Sequence, residues 1–434
     1  MDMCGKWMNK LAVCVAVFLC AWTLSAQTDG TYSGFSPYSV YGVGQLHQGG
    51  TAWNRGMGGV GIATRNKRFV NLLNPAAVTA RDTLSFMSDF GLSGRFSYFT
   101  EGDKRNVNTL FNIDDFVISF PLWAHSALMV GLTPYSDVGY KISSTYMDAY
   151  TGQQSFATVG TGGLYQAFVG GGVTLWNRLS LGAQFNYVFG NINKAASKTN
   201  DDTSYRSFAS GDSLRVHQFT GTFGLQYEQP LGTNSFLTLG ATYRLSTKLA
   251  GEHIHYREIG SYDRVRGVDT LGVNVPQPRL GDELGVGLSF RVADNFMAEV
   301  DYTRTNWSGS LLEQVPGFSN NSDSRFASSV GQSFRAGLEF TPNRNDIRYF
   351  LRRCTYRVGA YYDQSYYTVN GAHVDAVGLT LGMTLPVFRW YNGVTIGVDL
   401  GRRGLAGQQV KETYAGFNLG LNVFDIWFKK PRYE

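Results

Sequence analysis

The chain has 434 residues, 14% of them aromatic and only 16% charged, with 52 glycines against 11 prolines and a formal net charge of +5. Soluble domains average about 25% charged residues, so this excess of Tyr, Phe and Gly points to many strands with crowded faces. The basic residues are scattered rather than clustered, and nothing in them calls for a nucleic-acid partner.

The chain opens with Lys6 and Lys10, then an apolar run over 11–24, then Leu24-Ser25-Ala26. This is the pattern of a secretory signal peptide over 1–26, with Gln27 the first mature residue; the run is short for a membrane span. Phe18 and Leu19 are bulky where a lipoprotein site at Cys20 would need small residues. Removing 1–26 leaves Cys354 alone, so no internal disulfide can form. No later run of about 18 apolar residues follows, so no spanning helix is expected. An exported, strand-rich chain is then a soluble all-β protein or an outer-membrane barrel.

Residues 27–82 are rich in glycine and small residues, as in Gly56-Met57-Gly58-Gly59-Val60-Gly61 and Asn74-Pro75-Ala76. From 83 the texture changes to alternation. Fourteen segments carry it: 83–99, 113–122, 126–143, 161–175, 178–191, 216–228, 235–250, 279–293, 295–306, 331–341, 355–365, 373–387, 392–403 and 414–428. The last sets Phe417, Leu419, Leu421 and Val423 on one parity and Gly416, Asn418, Gly420 and Asn422 on the other. Soluble strands run about 5–6 residues, whereas a tilted membrane-crossing strand needs about 9–11. Length and even count therefore favour an all-β, 14-stranded antiparallel transmembrane β-barrel, with one parity in lipid and the other inside.

The connections alternate as such a barrel requires. Those at 123–125, 176–177, 229–234, 294 and 388–391 are short, and those at 100–112, 144–160, 192–215, 251–278 and 307–330 are long. Three break the rule: 342–354 is long on the short side, and 366–372 and 404–410 are short on the long side. Short turns lie in the periplasm in such barrels, which places both termini there. Trp123, Trp176, Trp390 and Trp427 then share one level, as an aromatic girdle would.

Asn74-Pro75-Ala76 just before the first wall segment, the glycine-rich stretch before it and the fourteen segments after it resemble the FadL-type transporters of outer membranes. The opening Ser36-Pro37-Tyr38-Ser39-Val40-Tyr41-Gly42 resembles an unassigned branch of that superfamily. The resemblance implies an N-terminal hatch over 27–82 that fills the barrel of 83–428, with 429–434 as a short periplasmic tail. It implies that Asn74, Pro75 and Ala76 shape the hatch along a substrate path. It also implies a kinked third strand that opens the wall sideways, and Pro134 in that segment, unable to donate to a ladder, is the candidate for this lateral gate.

No catalytic set is present: the glycine-rich stretch 56–61 lacks a βαβ context, and no G-x-S-x-G or H-E-x-x-H occurs. His253-Ile254-His255 reads as a solvated loop tip rather than a metal site. Glu299, Asp301 and Arg335 share the inward parity and suggest a lumenal ion network. No enzyme, cofactor or metal is expected. The partners expected are outer-membrane lipid and hydrophobic small molecules, taken up as long-chain fatty acids or hydrocarbons are. The alternative is a non-transport subunit or scaffold of an outer-membrane secretion or assembly complex, with other envelope proteins as partners.

Overall fold

The computed structural model describes residues 34–426 apart from 82–83, 149–151, 201–206, 262–263, 273–277, 316–317, 319, 322–323, 388–391 and 406–409. The signal peptide, Trp390, Trp427 and the tail 429–434 lie outside the described residues. Fourteen long antiparallel strands make the wall. They are β1 (Ser85–Glu101), β2 (Lys104–Trp123), β3 (Ser126–Asp148), β4 (Gly152–Leu175), β5 (Leu179–Asn200), β6 (Ser207–Pro230) and β7 (Ser235–Arg244). They continue as β8 (Asp282–Val292), β9 (Phe296–Asn306), β10 (Val330–Phe340), β11 (Thr355–Val369), β12 (Ala372–Pro386), β13 (Gly393–Leu405) and β14 (Val410–Ile426). Each pairs with the next, and β1 pairs with β14 from Ser85↔Ile426 to Glu101↔Val410, which closes the sheet.

The burial pattern inverts that of a soluble protein. Val130, Val169, Phe185, Leu239, Val300 and Leu379 are exposed on the outward parity, while Asn186, Gln226, Glu299, Asp301 and Thr380 are buried on the inward one. Apolar side chains gain nothing by turning inward when the outer medium is hydrocarbon, and closure pairs the backbone groups that such a medium would leave orphaned. In β14, Leu421 and Val423 are exposed and Asn418 is buried, the partition its alternation predicts.

Four of the five short turns, those near 124, 177, 232 and 294, fall where the sequence puts them, and 388–391 lies outside the described residues. Trp176 and Asn177 both take positive φ, 49° and 57°, which suits a two-residue hairpin between right-twisted strands. Trp123 and Trp176 are 67% and 82% exposed at that end. The opposite end differs from expectation. Segments 100–112, 144–160 and 192–215, read as loops, are largely ladder: β2 begins at Lys104, β3 runs to Asp148, and β5 and β6 pair as far as Lys198↔Phe208. Beyond a bilayer both faces of a strand meet water, so its pairing persists while its apolar alternation fades.

Candidate functional site

Residues 34–81 run inside the wall. They begin at the long-strand end, where Ser36 Oγ donates to Glu412 Oε2 (3.1 Å) and the Tyr38 hydroxyl to Val410 O (2.7 Å). They finish at the short-turn end, where Arg81 bonds Ser85 O and Ser119. The described part makes one pass from the long-strand end to the short-turn end.

The wall accepts this segment through missing side chains. A Cβ at Gly182 would stand 2.7 Å from Ala76 Cα, one at Gly224 2.8 Å from Pro75 Cδ, and one at Gly240 2.8 Å from Ala63 Cα. On the other strands, a Cβ at Gly359 would stand 2.6 Å from Gly58 Cα, one at Gly382 2.9 Å from Gly56 Cα, and one at Gly420 2.7 Å from Ala52 Cβ. The inward glycines thus form a collar in direct contact with the segment, four of these six with its backbone, which is why glycine shares a parity with polar residues.

Polar anchors complete the grip. Asn74 caps the 3-10 turn Pro75–Thr79: its Oδ1 accepts from Ala76 N (3.0 Å), and its Nδ2 donates to Ile62 O (2.7 Å) and to Leu225 O of β6 (3.2 Å). Pro75 sits at the first turn, where its missing N–H costs nothing. Asp301 Oδ2 accepts from Gly61 N (2.7 Å) and Ile62 N (3.0 Å), and Glu299 accepts from Ala63 N (2.8 Å) and the Thr64 hydroxyl. Glu299 and Asp301 therefore bind backbone N–H groups rather than wall cations, while Arg335 pairs with Asp363 (2.7 Å) and donates to Gly58 O (3.1 Å). Trp53 stacks on Phe69 at 3.7 Å and donates to Glu339 (2.9 Å). Above these, Tyr38, Tyr366, Trp307, Leu312 and Phe318 belong to an apolar core at the long-strand end.

The wall is continuous except between β2 and β3. Their ladder runs only from Trp123↔Ser126 to Phe116↔Leu132. Beyond it, 104–115 pairs with β1 and 133–148 with β4. A bulge stands on each side of the break. Asp114 drops out of register between Asp115↔Gly91 and Ile113↔Leu92, and Tyr135 between Pro134↔Tyr165 and Ser136↔Leu164. Bulges bend a strand and end pairing, and Pro134 has no N–H to give.

Residues 36–47 take up the freed edge of β3. Gln45↔Asp137 and Leu46↔Ser136 form a two-residue ladder, His47 N donates to Tyr135 O (2.9 Å), and Ser36 N to Gly139 O (2.8 Å). The bulged Asp114 pairs with Arg55, accepts from Ser93 Oγ (2.8 Å) and lies 3.3 Å from His47. Two cavities, of about 340 and 150 Å³, flank 46–49 on this side, lined by His47, Gln48, Arg55 and Leu73.

Asn74, Pro75 and Ala76 are thus in the glycine collar on β5 and β6, and Pro134 is at the break. His253 and His255 are not at a loop tip. They lie on the strand Gly251–Ser261, which pairs with β6, at 3.1 and 2.9 Å from Asp212. No group of three metal-ligating side chains occurs among the described residues. Sequence reasoning missed His47, Arg55 and Asp114. The signal for Asp114 was present: Ile113 and Phe116 both face out, and only an extra residue between them reconciles their parity.

A closed 14-stranded antiparallel barrel, apolar outside and polar within, defines an integral outer-membrane protein of the FadL-type fold. The BamG family model matches residues 8–434, and the chain belongs to the BamG family. Solved structures of similar fold include the CymD monoaromatic hydrocarbon channel, at 14% identity and TM-score 0.56, covering 86% of this chain and 97% of that one. The Ralstonia pickettii toluene transporter TbuX follows at 14% identity and TM-score 0.57, covering 86% and 98%. A Pseudomonas aeruginosa FadL homologue has 11% identity and TM-score 0.55, covering 88% and 99%. No curated protein matches the sequence.

Proposed function

We propose that this barrel passes apolar or amphipathic small molecules of the long-chain fatty acid or hydrocarbon type into the cell envelope. Segment 34–81 acts as a hatch held by Asn74, Pro75 and Ala76, and the break at Pro134 is the lateral exit. One observation carries the reading: the opposed bulges at Asp114 and Tyr135 end the ladder, and among the described residues 36–47 bonds to the β3 edge they free, at 135–139. Withdrawing 36–47 opens a path from the flanking cavities to lipid without breaking any wall pairing. Trp123, Trp176, Trp390 and Trp427 hold the barrel at the periplasmic interface. Leu46 and Ser136 are direct partners, so Leu46→Cys/Ser136→Cys can form a disulfide that pins the cover. Uptake of labelled oleate into cells should fall when the pair is oxidised and return on reduction. Equal uptake in both states sinks the proposal.

A second reading has its own support. The larger cavity beside the break is lined by Arg55, Asp137, Arg335 and Asp363 and the smaller by Arg55, Asp114, Arg244 and Glu283, poor company for a hydrocarbon, and the collar holds the segment tightly. A barrel of that kind serves as a subunit of an outer-membrane assembly or secretion complex. Stoichiometric partners after mild detergent extraction, with oleate uptake unchanged in cells lacking the protein, favour this reading.

A further inference from the structure

The connection 342–354 is the longest on the short-turn side, and it is folded rather than slack. Asp346 Oδ1 accepts from Arg348 N and Tyr349 N, both at 2.8 Å, and Arg344 donates to Thr341 Oγ1 at 3.3 Å. This order presents apolar side chains outward: Ile347 is 99% exposed, and Leu351, Tyr349 and Phe350 are exposed with it. Four arginines stand among them, at 344, 348, 352 and 353, against the single acid Asp346. Arg352 and Arg353 lie over the rings of Tyr349 and Phe350, at 4.8 and 5.2 Å. Arg353 Nε is buried with no hydrogen-bond partner, and neither Arg348 nor Arg353 has a carboxylate partner among the described residues.

The location decides what meets this surface. Phe296, Phe340 and Tyr356 are cross-strand neighbours in one outward row at the foot of β9, β10 and β11. The Tyr356 hydroxyl donates to Leu351 O at 3.0 Å. The short helix Phe350–Arg353 is therefore tied to the lipid-facing side of the wall, directly beneath an aromatic row. Apolar side chains reach acyl chains there while arginines reach phosphates.

We infer that 342–354 is an interfacial anchor that binds anionic phospholipid in the leaflet on the short-turn side, through Arg348 and Arg353. This depends on the wall lying in a bilayer, not on what the lumen carries. The test uses the full barrel in nanodiscs of phosphatidylglycerol and phosphatidylcholine. Native mass spectrometry of the released protein reads the lipid retained. Taking each interfacial arginine as worth about fivefold, Arg348→Gln/Arg353→Gln should weaken phosphatidylglycerol retention by roughly 30-fold. Phosphatidylcholine retention should be unchanged, as should both lipids in the long-strand-end control Arg105→Gln. A nitroxide on Ile347→Cys, in a Cys354→Ser background, should be accessible to lipid-soluble oxygen. Equal phosphatidylglycerol retention in wild type and double variant overturns the inference. So does a nitroxide that reports water, which would make the turn a surface for a soluble periplasmic protein.

Discussion

The glycine collar makes a sharp prediction. At Gly359 an added Cβ would lie 2.6 Å from Gly58 Cα, and at Gly182 2.7 Å from Ala76 Cα, where ordinary contact begins near 3.4 Å. The nearest backbone atoms are closer still, Gly58 N at 2.2 Å and Ala76 N at 2.3 Å, so the inner segment must retreat by about 1 Å at two places on opposite flanks. Neither contact is with a flexible side-chain end that could swing away. Overpacking of this kind costs about 1–3 kcal/mol per site, and distant sites add, so Gly182→Ala/Gly359→Ala should loosen the segment by about 2–6 kcal/mol. Ladder hydrogen bonds use backbone atoms only, so the wall should survive. The assay is trypsin digestion in detergent, read at Arg55 and Arg65 inside the barrel, with migration in cold SDS reporting wall integrity. Wild type should resist; the double variant should be cut in 34–81 while still migrating as a closed barrel. Gly232→Ala, whose Cβ meets nothing within 4 Å, is the control. A double variant as resistant as that control refutes direct packing of wall on backbone.

Glu299→Leu/Asp301→Leu orphans four donors of 61–64 at about 1–3 kcal/mol each; the melting temperature in detergent should drop well below that of Glu299→Gln, whose amide oxygen still accepts. Lys194, high on β5 beyond the bilayer, donates to Val40 O and Gly42 O, and burial holds its amine down to about 7. The unfolded chain keeps that proton up to about 10.4 while the folded one loses it above about 7, so stability from this site should rise across that window. Thermal melts at pH 7 and 9.5 should show the rise in wild type and not in Lys194→Met. Cys354 is buried at the foot of β11 and should react with maleimide only after denaturation.

Strand count, the short-turn ends and the outward parity were legible because hydrocarbon imposes an unbroken alternation over each crossing. The far ends of β2, β3, β5 and β6 were not, since a hydrogen-bonded ribbon in water leaves no such imprint. Inward glycines suggested small polar surroundings; that they touch backbone depends on which chain lies behind them, and no local pattern encodes that. Pro134 marked its strand, but the partner bulge at Asp114 was visible only as a parity conflict with Phe116. The His47 and Arg55 contacts join residues about 60 positions from Asp114 and could be found only in three dimensions.

The seam of the wall joins Ser85 to Ile426, nearly the two ends of the strand-forming sequence. The glycine collar admits no filling bulkier than the one it holds. Wall and leading segment are therefore two halves of one core, the inward glycines shaped to the chain behind them. A wall closed without 34–81 would enclose a lumen lined at those positions by bare glycine.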